Sequence, residues 1–315
     1  MDDKNLIVES NETPVEQETK IVTMEERDMK KVTAKQKIVK IIVTVLVYAF
    51  LFAVAISVLF PFYWMIISSL KTLTEYEYIT PTFFPKVIMW ENYLAAFKTA
   101  NLGVLFLNTV FVGIVSTILS LVITVISAFA FARLDFKGKN ALFAMLLATM
   151  MIPGELFTIT NYQTIMSLGW DQSFTVLISP FLVSVFYIYL LRQNFLQIPN
   201  ELYLAAKVDG TSDLKYLWKV MIPLSLPTLI SITILKMMGS WNSYMWPRLV
   251  ANKPLHQLVT NGLRGGDFAV QGRPDQVNYP LQMAAVTIVS IPLFLVFIFF
   301  RKYIMKGVSR SGIKG

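Results

Sequence analysis

The sequence predicts an all-α integral membrane protein with six transmembrane helices and an amphipathic helical loop on the cytoplasmic side. Three observations predict it. Of the 315 residues, 55% are hydrophobic and 15% charged, with a mean hydropathy of +0.57, which is more apolar surface than one water-soluble core can bury. Six apolar runs are each compatible with the roughly 20 residues that a helix needs to cross hydrocarbon. The cations behind the net charge of +8 are spread over loops and tails instead of forming one stripe.

Taken in order, residues 1–28 hold nine of the twenty acidic residues and no apolar run longer than three, so nothing there drives burial. Residues 1–37 are expected to be a disordered acidic and basic cytoplasmic tail. A removable signal peptide is not expected after so long a polar stretch, and the first helix should stay in the protein. The first run is Ile41–Phe60, followed by Pro61 and an amphiphilic stretch whose Tyr63 and Trp64 suit a membrane interface. The others are Val104–Phe131, Ala141–Met166, Phe174–Leu191, about Ile222–Trp246, and Leu281–Phe300. A transmembrane domain over 38–307 and a basic cytoplasmic tail over 308–315 follow.

Twenty of the 28 Lys and Arg residues fall on the face that carries both termini, and seven on the other. That bias makes the first face cytoplasmic in a multi-pass plasma-membrane protein. Cations scattered over four separate segments do not form a nucleic-acid surface. With no cysteine and a single histidine, His256, there is no thiolate, zinc or disulfide chemistry, and no Ser/His/Asp set or metal cluster stands in any segment. The chain is expected to be no enzyme and to carry no cofactor. Two ionisable residues fall inside apolar runs, Glu155 just after Pro153-Gly154 and Lys236 in the fifth run. Glu155 is expected either to satisfy amides freed by the proline or to face a pathway. Lys236 could snorkel outward, pair with a partner chain, or favour an acidic sugar.

The loop over 192–221 is punctuated like two short helices. Pro199-Asn200 reads as a helix start with Asn200 as N-cap and Glu201 in the first turn, and Gly210 is placed to end that helix left-handed. Ser212 can cap a second, with Leu214, Leu217, Trp218 and Met221 on one apolar stripe before Pro223. Small residues at Ala205 and Ala206 would let another surface approach closely. Taken by itself, amphipathicity leaves open whether this pair docks a protein or lies on lipid.

The stretch LAAKVDGTSDLKYLWKVMIP, residues 204–223, resembles the EAA loop of permease subunits of bacterial ABC importers: EAA, three residues, Gly, nine residues, Ile, any residue, Leu-Pro. Ala205, Ala206, Gly210 and Pro223 fall in register. Leu204 stands in place of the glutamate, Val220 of the isoleucine and Ile222 of the leucine. ATMMIPGE, LLRQNFLQIPNEL, GSWNSYMWP and MKGVSRSGIKG resemble the carbohydrate-uptake group, and within it the MalG-type chain.

The resemblance implies a helical coupling loop that docks on a separate ATPase, with Glu201 or Asp209 standing in for the missing glutamate. It implies as partners an ABC ATPase dimer, a second MalF-type permease, an extracellular solute-binding protein, and a carbohydrate substrate. No GxxxxGK[ST] phosphate loop occurs, so ATP hydrolysis is expected elsewhere. Trp241, Asn242, Tyr244 and Trp246 offer aromatic faces and hydrogen bonds for a sugar, with Glu155 as a further pathway candidate; interface anchoring is the ordinary alternative for such aromatics, Trp246 above all. A self-contained ion-coupled secondary transporter and an ABC permease for another solute are the rival functions. The first should show an internal repeat, and none is found.

Overall fold

The computed structural model describes residues 14–266, 268–270 and 272–309. The chain divides into two units, residues 1–64 and 65–315. The first is built on a single helix, α1 (Pro14–Ser69), whose last turn belongs to the second. It begins inside the segment expected to be disordered; residues 1–13 of that segment lie outside the described residues. Between Val15 and Phe60 there is neither Gly nor Pro, and Glu16/Lys20 and Glu26/Lys30 stand four apart. A helix nucleated in the apolar run therefore propagates back to Pro14, whose missing N–H costs nothing at a first helical position.

The second unit continues with α2 (Leu73–Tyr76), α3 (Glu91–Thr99), α4 (Leu102–Arg133), α5 (Lys139–Thr149), α6 (Thr158–Ser167), α7 (Phe174–Ile178) and α8 (Val185–Leu196). Then come α9 (Asn200–Val208), α10 (Asp213–Tyr216), α11 (Ile222–Leu224), α12 (Leu226–Trp241), α13 (Met245–Val250), α14 (Val259–Gly265), the hairpin β1 (Ala269–Val270) and β2 (Arg273–Val277), and α15 (Tyr279–Ser309). The hairpin is antiparallel.

Among the described residues, three helical stretches are long and apolar enough to cross a membrane unbroken: Gln36–Ser69, Leu102–Arg133 and Tyr279–Tyr303. The other three expected runs are bent pairs. Lys139–Thr149 meets Gly154–Ser167 at 83°, Phe174–Phe181 meets Val185–Leu196 at 47°, and Asp213–Leu224 meets Leu226–Trp241 at 81°. Each break has a local cause. Pro153 has no N–H and Gly154 follows it, so the chain resumes as a 3-10 turn, Gly154–Phe157. Pro180 sits in a 3-10 turn, Ser179–Phe181, after which the chain restarts at Ser184, whose hydroxyl accepts from the Tyr187 amide at 3.4 Å. Ser225 lies between Pro223 and Pro227, and its amide reaches back to Met221 O and Ile222 O at 3.1 Å each.

α4 is the centre of this unit, packed on α8 and α12, with α12 on α15 and α15 on α3. The middle of its buried face is rich in small and hydroxylic residues, Gly113, Ser116, Thr117, Ser120, Thr124 and Ala128. Such residues let backbones approach, which is what drives helix association where lipid is as apolar as leucine. Met237 and Ser240 of α12 fit against Gly113, within 3.7 Å of where a Cβ would be. A strap over 251–261 is tied down by its main chain. The Asn108 amide donates to Leu255 O and Gln257 O at 2.9 Å each, and Thr109 Oγ1 accepts from the Val259 amide at 2.8 Å. Asn261 Nδ2 donates to Ala251 O at 2.9 Å, and its Oδ1 accepts from the Leu258 amide at 2.7 Å. A second clasp holds the 71–86 loop: buried Glu75 accepts from Thr82 Oγ1 and from the Lys86 amide, while Lys71 Nζ donates to Thr82 O.

Candidate functional site

Two features stand out, a braced two-helix loop and a cavity whose mostly apolar wall carries several polar side chains. The loop is anchored at its base by two arginines. Arg133 Nη2 donates to Phe195 O at 2.9 Å and to Ile198 O, and Arg192 Nε donates to Phe131 O at 3.0 Å, so the ends of α4 and α8 are stapled together. α9 starts at Asn200 itself, with Pro199 as the N-cap residue and no side-chain cap, one position earlier than expected. Its C-terminus is a Schellman turn: Gly210 has φ +67°, its amide donates to Lys207 O at 3.0 Å, and the Thr211 amide donates to Ala206 O at 2.8 Å. Ser212 caps α10 as expected, accepting from the Lys215 amide at 3.4 Å.

Side chains then lock the two helices at the corner. Tyr203 Oη donates to Asp213 Oδ1 at 2.7 Å, Lys207 Nζ lies 2.7 Å from the same oxygen, and the Tyr203 and Tyr216 rings are 5.1 Å apart. The bond to Asp213 raises the Lys207 ammonium above its ordinary pKa. The expected apolar stripe splits in two. Leu217 and Met221 are buried with Tyr216, Leu191 and Phe195, whereas Leu214 and Trp218 are 63% and 65% exposed. A π-helical turn, Leu217–Met221, adds a residue to the turn and swings the stripe's two edges apart. Leu204 and Val208 of α9 are also exposed, as are Glu201, Ala205, Asp209, Gly210 and Pro223; Ala206 is half-buried against the core.

The cavity encloses about 400 Å³ at the break between the Ser179–Phe181 turn and α8. Its wall is shared by Ser116 of α4, the α8 cap Ser184, Tyr187 of α8, Lys236 and Ser240 of α12, and Trp246 of α13. Trp246 is buried, its Nε1 donating to Val176 O at 2.9 Å. Lys236 Nζ donates to Phe181 O. An ammonium at this depth costs about 2.5–3.5 kcal/mol to insert, so a carbonyl freed by the broken helix is a natural partner.

With this geometry in view, comparison with known proteins is direct. A family model described as "Binding-protein-dependent transport system inner membrane component" matches residues 120–310, more than half of the chain. The chain belongs to this family. An arabinooligosaccharides transport permease, AraQ, of Halalkalibacterium halodurans is 32% identical over 89% of this chain and all of its own length. AraQ of Bacillus subtilis is 28% identical, covering 84% of this chain and 94% of its own. The polygalacturonan/rhamnogalacturonan permease YtcP of the same organism is 29% identical, covering 86% and 97%. Among solved structures, a bacterial ABC transporter for import of the acidic polysaccharide alginate has a chain that superposes with a TM-score of 0.75 at 23% identity, covering 83% of this chain and 96% of its own. That likeness establishes the all-α permease fold. As an ABC permease subunit the chain is a multi-pass plasma-membrane protein and not itself an enzyme.

Of the pathway candidates of this permease, Trp241, Asn242, Tyr244 and Glu155 lie off the cavity wall and Trp246 lies on it. Trp241 packs on Phe106, ring centroids 5.6 Å apart; Asn242 Nδ2 donates to Met238 O at 3.0 Å, closing the end of α12; Glu155 is exposed in the 3-10 turn. Tyr244 Oη accepts from both Arg248 Nη1 and Arg264 Nη1 at 2.8 Å. The cavity residues Ser116, Ser184 and Tyr187 were not singled out from the sequence, and neither were Arg133 and Arg192 as loop anchors. The signal for Ser184 was present: a capping residue shortly after Pro180 in a long apolar run.

Proposed function

We propose that the chain is one of two permease subunits of an ATP-driven importer for oligosaccharides, its 200–221 helices gripped by a separate ABC ATPase dimer. A second MalF-type permease completes the pathway, an extracellular solute-binding protein delivers the sugar, and both termini are cytoplasmic. The named activities of the relatives, arabinooligosaccharide and polygalacturonan/rhamnogalacturonan transport, support the substrate class. One observation carries the docking role: an internally braced loop that turns Leu204, Val208, Leu214 and Trp218, flanked by Glu201 and Asp209, away from its own core. Rigid bracing lets such a loop pass a push from the ATPase into α4 and α8, switching between two packed states.

Val208 is 89% exposed, so Val208→Asp leaves the fold intact. The test is co-purification of the ATPase with the membrane-inserted permease pair, for Val208→Asp and Trp218→Asp. Loss of the ATPase in both supports docking. Full retention in both overturns it.

A further inference from the structure

The cavity carries a charge that import of a neutral sugar does not call for. Its size is that of a small-molecule site, and it sits where Leu182–Ser184 interrupt a helix at membrane depth, the kind of place where freed main-chain groups and polar side chains meet a ligand. Hydroxyls of Ser116, Ser184, Tyr187, Ser240 and Ser243 line it, suited to sugar hydroxyls. Among the described residues, Lys236 is its sole ammonium and no Asp or Glu is on the wall. Among the described residues no carboxylate is within ion-pair distance of Lys236, and Phe181 O takes one of its three N–H donors. The amino end of α8 at Ser184 adds potential of the same sign.

We propose that this cavity receives the carboxylate of an acidic sugar residue, a uronate, and that Lys236 selects it over a neutral sugar. The proposal rests on the sugar-import reading above. A partly desolvated ammonium gains a charge-assisted bond from a carboxylate that a hydroxyl or an ester cannot supply, and with a neutral ligand it stays uncompensated; both effects favour the acid.

The experiment uses the whole assembly in vesicles: permease pair, ATPase and binding protein. ATP-driven accumulation is measured for trigalacturonate, for its fully methyl-esterified form of nearly the same shape, and for arabinotriose. The proposal expects wild type to take up the acid at least tenfold faster than the ester. Lys236→Met should collapse that ratio to near one, and Lys236→Arg should restore most of it. The wild-type ratio decides even if the Met variant fails to assemble. Equal uptake of acid and ester, uptake of arabinotriose alone, or a ratio unchanged in Lys236→Met overturns the uronate site while leaving the sugar importer standing. No ATP-driven uptake of any of the three overturns both.

Discussion

Gly210 forms the corner between α9 and α10, and its substitution series has a calculable order. The residue holds φ +67°, and nothing lies within 4 Å of where a Cβ would be. Gly210→Ala therefore meets no clash and carries only the left-handed penalty, roughly 1–2 kcal/mol, or about a 5–30-fold shift away from the native corner. Asparagine tolerates that region better and should fall between glycine and alanine. Proline cannot reach it, since its ring fixes φ near −65°. It also deletes the 3.0 Å bond from the residue 210 amide to Lys207 O. The assay is ATPase co-purification alongside ATP-driven uptake in vesicles, with membrane insertion as the control. The expected order of retained coupling is Gly, Asn, Ala, Pro, with Pro near zero. Wild-type coupling in Gly210→Pro would refute the reasoning, as would an alanine variant weaker than proline.

Two further outcomes test the packing. Gly262 of α14 has no room for a side chain, because a Cβ there would run into the Leu105 side chain of α4; Gly262→Ala should lower stability by about 1–3 kcal/mol, read as an earlier thermal unfolding midpoint in detergent, and Leu105→Ala should partly relieve it in the double variant. The Lys207–Asp213 pair is 44% and 36% exposed, so a double-mutant cycle should show only a weak coupling between the two residues, and that coupling should shrink further in high salt.

The apolar runs were legible because length and hydropathy decide whether a segment enters hydrocarbon, and each expected run is built of helix, three of them in broken pieces. The breaks were less so. Pro153-Gly154 announced one, but the gap at Leu182–Ser184 depends on how Pro180 closes its turn, and the bend at Ser225 falls between two prolines, either of which could have set it. The loop could be read closely because Gly210 and Ser212 act on backbone within three residues. The π-turn at Leu217–Met221 could not, since burial of Leu217 and Met221 beside Leu191 and Phe195 rewards it from afar. The cavity was hidden for the same reason: Lys236 and Phe181 meet across 55 positions of sequence. The helical run over 14–37 escaped because composition argued against burial, and a helix extending from an apolar span does not need it.

The strap over 251–261 is fastened through its peptide groups, by Asn108, Thr109 and Asn261, so the exposed side chains at 252–255 take no part in the fastening. Chemistry can be written onto that stretch without untying it. In a polypeptide that has no native thiol, one cysteine at Leu255, which is 69% exposed, would take a spin or fluorescent label at a single defined address.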